Sequence, residues 1–476
     1  MIPMNKNKIT GILNECLPGG LESISDASIP PRINEPPLIG SSWKFIRHPF
    51  EFVSECRVQG DVVRFRLAAS DFYLVSHPDA IDHILIRNNQ NYRKGAMTQL
   101  LRDIVGNGIV TSEGDVWRRQ RHMANPAFDP EHITSYADTM TDYTERLTSE
   151  WKGGETINIR KEMSQLMLEI ISQTLFKADI REDDRGERVV RALDTLFVNS
   201  WGTVTGIFDR VPEWVPLPPR QRYHAAISEL DAVVYSIIAD RRRSDDKGDD
   251  ALSMLLAAED EKGRKMTDEE LRDMVIALLI AGFGTTAFAM SVTLFLVGHH
   301  PLVEKLLVEE LDSVLGDKTP TDDDLDELEY TERVIKESMR LYPPAPRVIS
   351  REATQDDEID GYRIPAGSQI LISQWATHRD SRWYEDPITF DPDRWTKERE
   401  ASRPPMAYYP FAAGPRRCLG DRFAMQETKL VLATILQQYH LEIHTEKLDH
   451  DPGATTAHSD AHPIEATVRR RRNENQ

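Results

Sequence analysis

The longest apolar run in the chain extends from Met274 to Val297 without one charged residue. It is long enough to cross a bilayer, and it suits equally well a helix buried on every side of a large core. The AGFGTT interruption at 281–286, the lack of a second such run and the abundant charge on both sides favour burial, so no membrane span is expected. Short β-branched and aromatic runs at 61–69 (DVVRFRLAA) and 71–77 (DFYLVSH) predict a small hairpin-like sheet. Helical patterning dominates from His77 onward, and strand character returns at 357–373 and 462–470. The expected fold is therefore mainly α with a small β-rich lobe built from both ends of the chain. Residues 1–40, polar and proline-rich, read as a lead-in lying over a domain. No internal repeat appears, and the acidic loop at 244–250 reads as a connection between helices, which leaves 41–476 as a single domain.

Composition narrows the function classes. The 476 residues are 40% hydrophobic and 29% charged, as in an ordinary globular protein. A net charge of -20 repels phosphate backbones and argues against a nucleic-acid partner. The one dense basic run, Arg469 to Arg472, has no interleaved aromatics and is expected to be a solvated tail. Three widely spaced cysteines, Cys16, Cys56 and Cys418, do not make a disulfide framework and fit a reducing cytoplasm. The first residues lack the apolar stretch of a secretory signal, so the expected location is cytoplasmic.

The most specific chemical signal is FAAGPRRCLG at 411–420, in which Phe411, Gly414, Arg416, Cys418 and Gly420 keep a fixed spacing just before a helical pattern. Nearby cations such as Arg416 and Arg417 lower a thiol's pKa and suit a thiolate. Gly414 and Gly420 permit tight turns and close backbone approach, and the following helix presents its positive end to the sulfur. The segment resembles the haem-binding signature of the cytochrome P450 family. Further spacings agree with it. Glu337 and Arg340 lie three apart on one helix face, two prolines stop that helix, and Arg394 follows in FDPDRW. Trp117 and Arg121, four apart, share a helix face, and both can donate to a carboxylate. Within the apolar run, Ala281, Gly282 and Gly284 leave room beside the helix, and Thr285 offers a hydroxyl.

The resemblance implies the family's triangular-prism fold, with haem b held by Cys418 and its propionates by Trp117, Arg121, Arg416 and Arg351. It implies a locking triad of Glu337, Arg340 and Arg394, and an oxygen groove at Ala281, Gly282 and Thr285. One position departs from the pattern: the family usually has an acid before the threonine, and this chain has Gly284. The implied activity is insertion of one atom of O2 into an apolar substrate of the fatty acid, terpenoid or carotenoid class. Electrons would come from a separate ferredoxin or flavodoxin-type donor with its reductase, and this chain would bind neither flavin nor nicotinamide. The substrate wall is expected from 96–110, 195–208, Ile276 to Thr286, Ala345 to Ile349 and 455–461. A peroxide-driven or isomerase-type enzyme and a non-catalytic haem sensor or carrier are the alternatives.

Overall fold

A computed structural model describes residues 28–34, 40–67, 70–180, 184–204, 215, 217–244, 248–344, 349–448 and 462–471, the side chains of 197–204 excepted. The longer helices are α1 (Pro49–Gln59), α2 (Gly114–Ala124), α3 (Ala137–Glu150), α4 (Ile159–Phe176) and α5 (Arg185–Val204). They continue with α6 (Pro218–Arg243), α7 (Asp268–His299), α8 (Pro301–Val314), α9 (Glu329–Leu341) and α10 (Asp421–Gln438).

The apolar run lies within α7, whose start is fixed by a capping box. The Thr267 hydroxyl accepts from the Glu270 amide at 3.2 Å, and the Glu270 carboxylate accepts from the Thr267 amide at 2.9 Å. The expected interruption at 281–286 does not occur, because the helix runs unbroken to His299. Thr285 and Thr286 turn their hydroxyls onto the Ala281 and Gly282 carbonyls, at 2.6 and 2.8 Å, so the local bonds follow the helix instead of competing with it. Among the described residues α7 is the one helix long and apolar enough to cross a membrane, and most of it is buried inside the protein. Its neighbour α4 approaches closely at Gly282, where a Cβ would stand 1.8 Å from Ile171 Cδ1. The missing side chain there makes room for Ile171 of α4, a packing role the sequence did not indicate.

The larger sheet has five strands in the order β1 (Val62–Leu67), β2 (Ser70–Val75), β8 (Gln369–Ile372), β5 (Ile349–Ala353) and β3 (Tyr92–Lys94). The predicted hairpin is β1 and β2, with Val63 opposite Leu74, and β8 joins β2 in parallel. The 357–373 segment is divided: β6 (Asp357–Ile359) and β7 (Tyr362–Ile364) form their own hairpin before β8. A three-stranded sheet unites β4 (Thr156–Asn158), β10 (Glu465–Arg470) and β9 (Tyr439–Ile443). Three-residue strands such as β3 and β4 are too short to show alternation, which hid them in the sequence. Ser28, Arg32 and Gly40 bridge to Tyr362, Arg64 and Leu67, so the described part of the lead-in lies along the β lobe. The basic run is not a free tail. Arg469 and Arg470 belong to β10, Arg469 pairs with Glu442 at 2.6 Å, and Arg471 pairs with Glu304.

Beneath these layers Glu337 and Arg340 are both fully buried. Arg340 donates to the two Glu337 oxygens at 2.8 Å each and to the His378 and Pro387 carbonyls at 2.7 Å each. Arg394 Nε lies 3.3 Å from Glu337 Oε1, and Trp395 donates to Glu337 Oε2 at 3.0 Å. Removing one partner of a buried pair leaves the other charge unpaired, at a cost of about 3–5 kcal/mol. Arg340→Ala is therefore expected to lower the free energy of unfolding by about that amount, read as a fall in the urea midpoint.

Candidate active site

The cysteine segment leaves the β lobe as a tight loop and enters α10. Its backbone is closed by the Cys418 amide, which donates to the Phe411 carbonyl at 2.9 Å. Gln374 holds the entry by donating to the Tyr409 and Pro410 carbonyls at 2.6 and 2.9 Å. Gly414 has φ +70°, and a Cβ there would lie 1.9 Å from the Leu85 carbonyl oxygen, so only glycine fits. Ala412, also left-handed at φ 57°, carries a side chain in that region without such an excuse, and it lines the cavity described below. Gly420 differs from expectation: its φ is −98°, and its nearest would-be contact is Phe128 at an ordinary 3.5 Å.

Cys418 opens onto a cavity of about 420 Å³ roofed by α7. Ala277, Ala281, Gly282, Thr285, Thr286 and Ala289 give one face of that helix to the cavity, while Gly284 lies outside the lining. Ile171 and Leu175 of α4, Thr98, Ile109 and Val110 of the 95–112 segment, and Ile349 of β5 complete a largely apolar wall. Of the expected wall segments, 345–348 and 455–461 lie outside the described residues, as do 205–208 and the side chains of 197–204. The thiol is accessible from the cavity, yet surrounding protein keeps bulk water away. Burial pushes its pKa up, as does Asp421, against the downward pull of the Gly420 amide, Arg121 and Arg417. The sequence had assigned the cationic influence to Arg416 as well as Arg417. Arg416 instead turns to Glu113, which takes both of its Nη groups, and rests over the Trp117 ring at 5.3 Å.

One end of the cavity gathers positive charge. Trp117 and Arg121 from α2, Arg351 from β5 and Arg416 all line it, together with Lys94, which the sequence did not single out. Arg121 reaches the Arg417 carbonyl at 3.0 Å, and Arg351, only 7% exposed, donates to the Ser350 carbonyl at 2.9 Å. Burial first, then Arg416, depresses Arg351 to about 10. Lys94 is brought down to about 7 by burial, then Arg416, with Arg351 adding to the effect and Glu113 opposing it. Glu113 stays below the usual carboxylate range although burial raises it, because Arg416 and the Lys94 amide donate to it. It precedes α2, where an acidic residue favours the helix start, and that position was its one sequence signal.

A second residue the sequence missed is Glu427 in α10. It is 1% exposed, its Oε1 has no partner among the described residues, and it faces the Thr286 hydroxyl. Burial lifts its pKa to about 8, so it holds a proton at neutral pH. Such a group stabilises the fold fully below its unfolded pKa and loses that contribution as pH rises through the folded one. The window runs from the ordinary 4.5 to about 8, with a slope of at most roughly 1.4 kcal/mol per pH unit. The thermal stability of Glu427→Gln, measured against pH, is expected to gain on the wild type steadily across that window. At Gly284 no described atom lies within 4 Å of a would-be Cβ, unlike Gly282. Gly284→Ala is expected to raise stability by about 0.5–1 kcal/mol, whereas Gly282→Ala is expected to gain less in melting temperature, because Ile171 must shift to admit the methyl.

A flat macrocycle with two carboxylates fits these residues. A sulfur lies at the floor, a smooth helix face lies opposite, and the lining cations Lys94, Arg121, Arg351, Arg416 and Arg417 outnumber the carboxylates beside them, Glu113 on Arg416 and Asp421 on Arg417. Burial, and after it the neighbouring Arg416, lowers both Lys94 and Arg351, and two propionates would offset that cost. The comparisons agree. The family model described as Cytochrome P450 matches residues 30–462. The chain is 35% identical to cyclooctat-9-en-7-ol 5-monooxygenase of Streptomyces melanosporofaciens, over 85% of this chain and 88% of that one. It is 33% identical to pentalenene oxygenase of Streptomyces avermitilis, over 86% and 90%. The crystal structure of the cytochrome P450DA heme domain superposes with a TM-score of 0.83 at 26% identity, covering 94% of this chain and 98% of that one. The chain belongs to the cytochrome P450 family and is a haem-dependent P450 monooxygenase.

Proposed function

We propose that this monooxygenase hydroxylates a terpenoid, with electrons from a separate ferredoxin or flavodoxin-type donor in a reducing cytoplasm. The observation that carries this reading is the cavity itself: an apolar wall over Cys418, with its charged groups gathered at one end. The sequence left fatty acids, terpenoids and carotenoids open. Two relatives are named for oxidising cyclooctat-9-en-7-ol and pentalenene, which supports the terpenoid class. An apolar substrate meets few polar groups on the described part of this wall, Thr98 and the threonines of α7 among them, so shape dominates in setting the position attacked.

Haem bound to Cys418 supplies dioxygen binding and O–O cleavage, helped by electron density from the thiolate. The protein's own residues do the rest. Trp117, Arg121, Arg351 and Arg416 hold the propionate end, and the loop closed at Gly414 holds the sulfur. Ile171, Leu175 and Val110 keep water from the substrate side. Thr285 presents its hydroxyl to the cavity beside Thr286. With Gly284 in place of an acid, the proton-holding carboxyl at this site is Glu427, placed against the Thr286 hydroxyl on the side away from the cavity. The Thr286 hydroxyl donates a hydrogen bond to the Gly282 carbonyl at 2.8 Å, and its lone pairs can accept from Glu427.

The missing acid also motivates a peroxide-driven alternative, in which hydrogen peroxide alone supports turnover and a reductase system does not. A haem sensor or carrier would bind dioxygen and show no spin change with terpenoids. The decisive measurement is the carbon monoxide adduct of the reduced protein. The wild type is expected to show the strongly red-shifted Soret band of thiolate ligation, and Cys418→Ala to lose it; a histidine-type spectrum in the wild type would sink the reading. Thr285→Ala is expected to lower product formed per electron consumed by on the order of tenfold or more, with the red-shifted band retained.

A further inference from the structure

Lys94 ends β3 directly opposite Arg351 of β5 in the antiparallel register. Like charges in that relation repel, and both side chains are buried and line the cavity. The Lys94 ammonium also reaches across a length of chain: it donates to the Ile109 carbonyl at 2.7 Å and to the Ser112 carbonyl at 2.9 Å. It thus fastens the far end of the 95–112 segment, which supplies Thr98, Ile109 and Val110 to the substrate wall. The near end is fixed beside it, since Gly95 donates to the Ser350 carbonyl at 3.1 Å and a Cβ there would lie 2.8 Å from the Arg351 carbonyl oxygen. The middle is fixed independently by Asp273 of α7, which accepts from the Asn107 amide at 2.7 Å, and by Gln120, which donates to the Asn107 carbonyl at 2.7 Å.

An ammonium has three protons. Two go to the segment, and the third has no acceptor among the described residues at an end of the cavity where a carboxylate is wanted. Resting on the haem reading above, we propose that Lys94 is a positioning residue that couples the propionate end of the haem site to the substrate wall, with one ammonium anchored to both. The charged groups facing it are Arg351 from β5, Glu113 ahead of α2 and Arg416 from the cysteine loop. Without a carboxylate on the third proton, burial and then Arg416 bring Lys94 down to about 7, so a substantial share at neutral pH is the neutral amine, which has two protons and a weaker hold on the carbonyls. A bound propionate keeps the ammonium charged and so keeps Ile109 and Val110 in place.

The test uses holoenzyme and reads two quantities: amide hydrogen exchange across 95–112, and the rate of haem transfer to excess apomyoglobin. Lys94→Met is expected to speed both by roughly tenfold, the scale set by losing charge-assisted hydrogen bonds. Lys94→Arg, which keeps the charge but not the compact shape, should fall between, and it serves if Lys94→Met does not fold. Arg93→Met removes the exposed cation next door, paired with Glu352, and should change neither. Faster haem loss with unchanged exchange would reduce Lys94 to a propionate contact and overturn the coupling. Faster exchange with unchanged haem retention would reduce it to a loop staple and overturn it equally. Failure of the haem reading itself would show separately, as a wild type without the red-shifted carbon monoxide band.

Discussion

Glu337 carries a carboxylate that is fully buried, and the chain around it is arranged so that this is tolerable. One oxygen takes Arg340 and the Asp391 amide, the other Arg340 and Trp395. Having neutralised that charge, Arg340 still has donors for the His378, Pro387 and Thr389 carbonyls, and Arg394 serves those of Glu385 and Asp386. A stretch of irregular chain with few backbone partners is thereby satisfied from the side. His378 continues the path by accepting from the Tyr409 amide at 3.1 Å, two residues before Phe411. The cysteine loop therefore inherits its position from a buried ion pair, which explains why a sulfur on a loop can be held as firmly as one on a helix.

The other half of the site carries unrelieved electrostatic cost. Cys418 is raised toward the neutral thiol by burial, and Lys94 and Arg351 are lowered by burial and by their cationic neighbours. These shifts share a first cause, burial of charged forms by the surrounding protein without enough opposite charge beside them. A metal centre on the sulfur and carboxylates at the far end would remove both at once. The protein is in this sense built around the charge distribution of its cofactor, and cofactor binding contributes to folding stability by mass action.

Motifs that depend on local spacing were legible in the sequence. The Cys418 loop, the Trp117 and Arg121 pair, the Glu337 and Arg340 pair and Thr285 all come together around or beneath one cavity, because helical and turn periodicity relates residues a few positions apart. Readings that depended on what packs opposite fared less well. Gly282 lines the cavity as expected but also makes room for Ile171, and Arg416, expected both near the sulfur and at the propionates, lines the cavity while pairing with Glu113. The basic run at 469–472 looked like a solvated tail; Arg469 and Arg470 are exposed but belong to a strand, Glu442 and Glu304 pair with Arg469 and Arg471, and Arg472 lies outside the described residues. Lys94 and Glu427 gave no signal at all: an isolated lysine and an isolated glutamate in amphipathic surroundings look like surface residues.

The sequence by itself determined the family, the mainly helical class with its β lobe, the cysteine loop at Cys418 and the vacancy of an acid at Gly284, since each is written in residues that are near neighbours or in the identity of one side chain. Only the tertiary structure decided which charges are buried and against what. It put Lys94 in register with Arg351, Glu427 against Thr286 and the 95–112 segment across the cavity. Burial and long-range electrostatics depend on chain segments brought together from opposite ends of the sequence, and no local pattern encodes that distance.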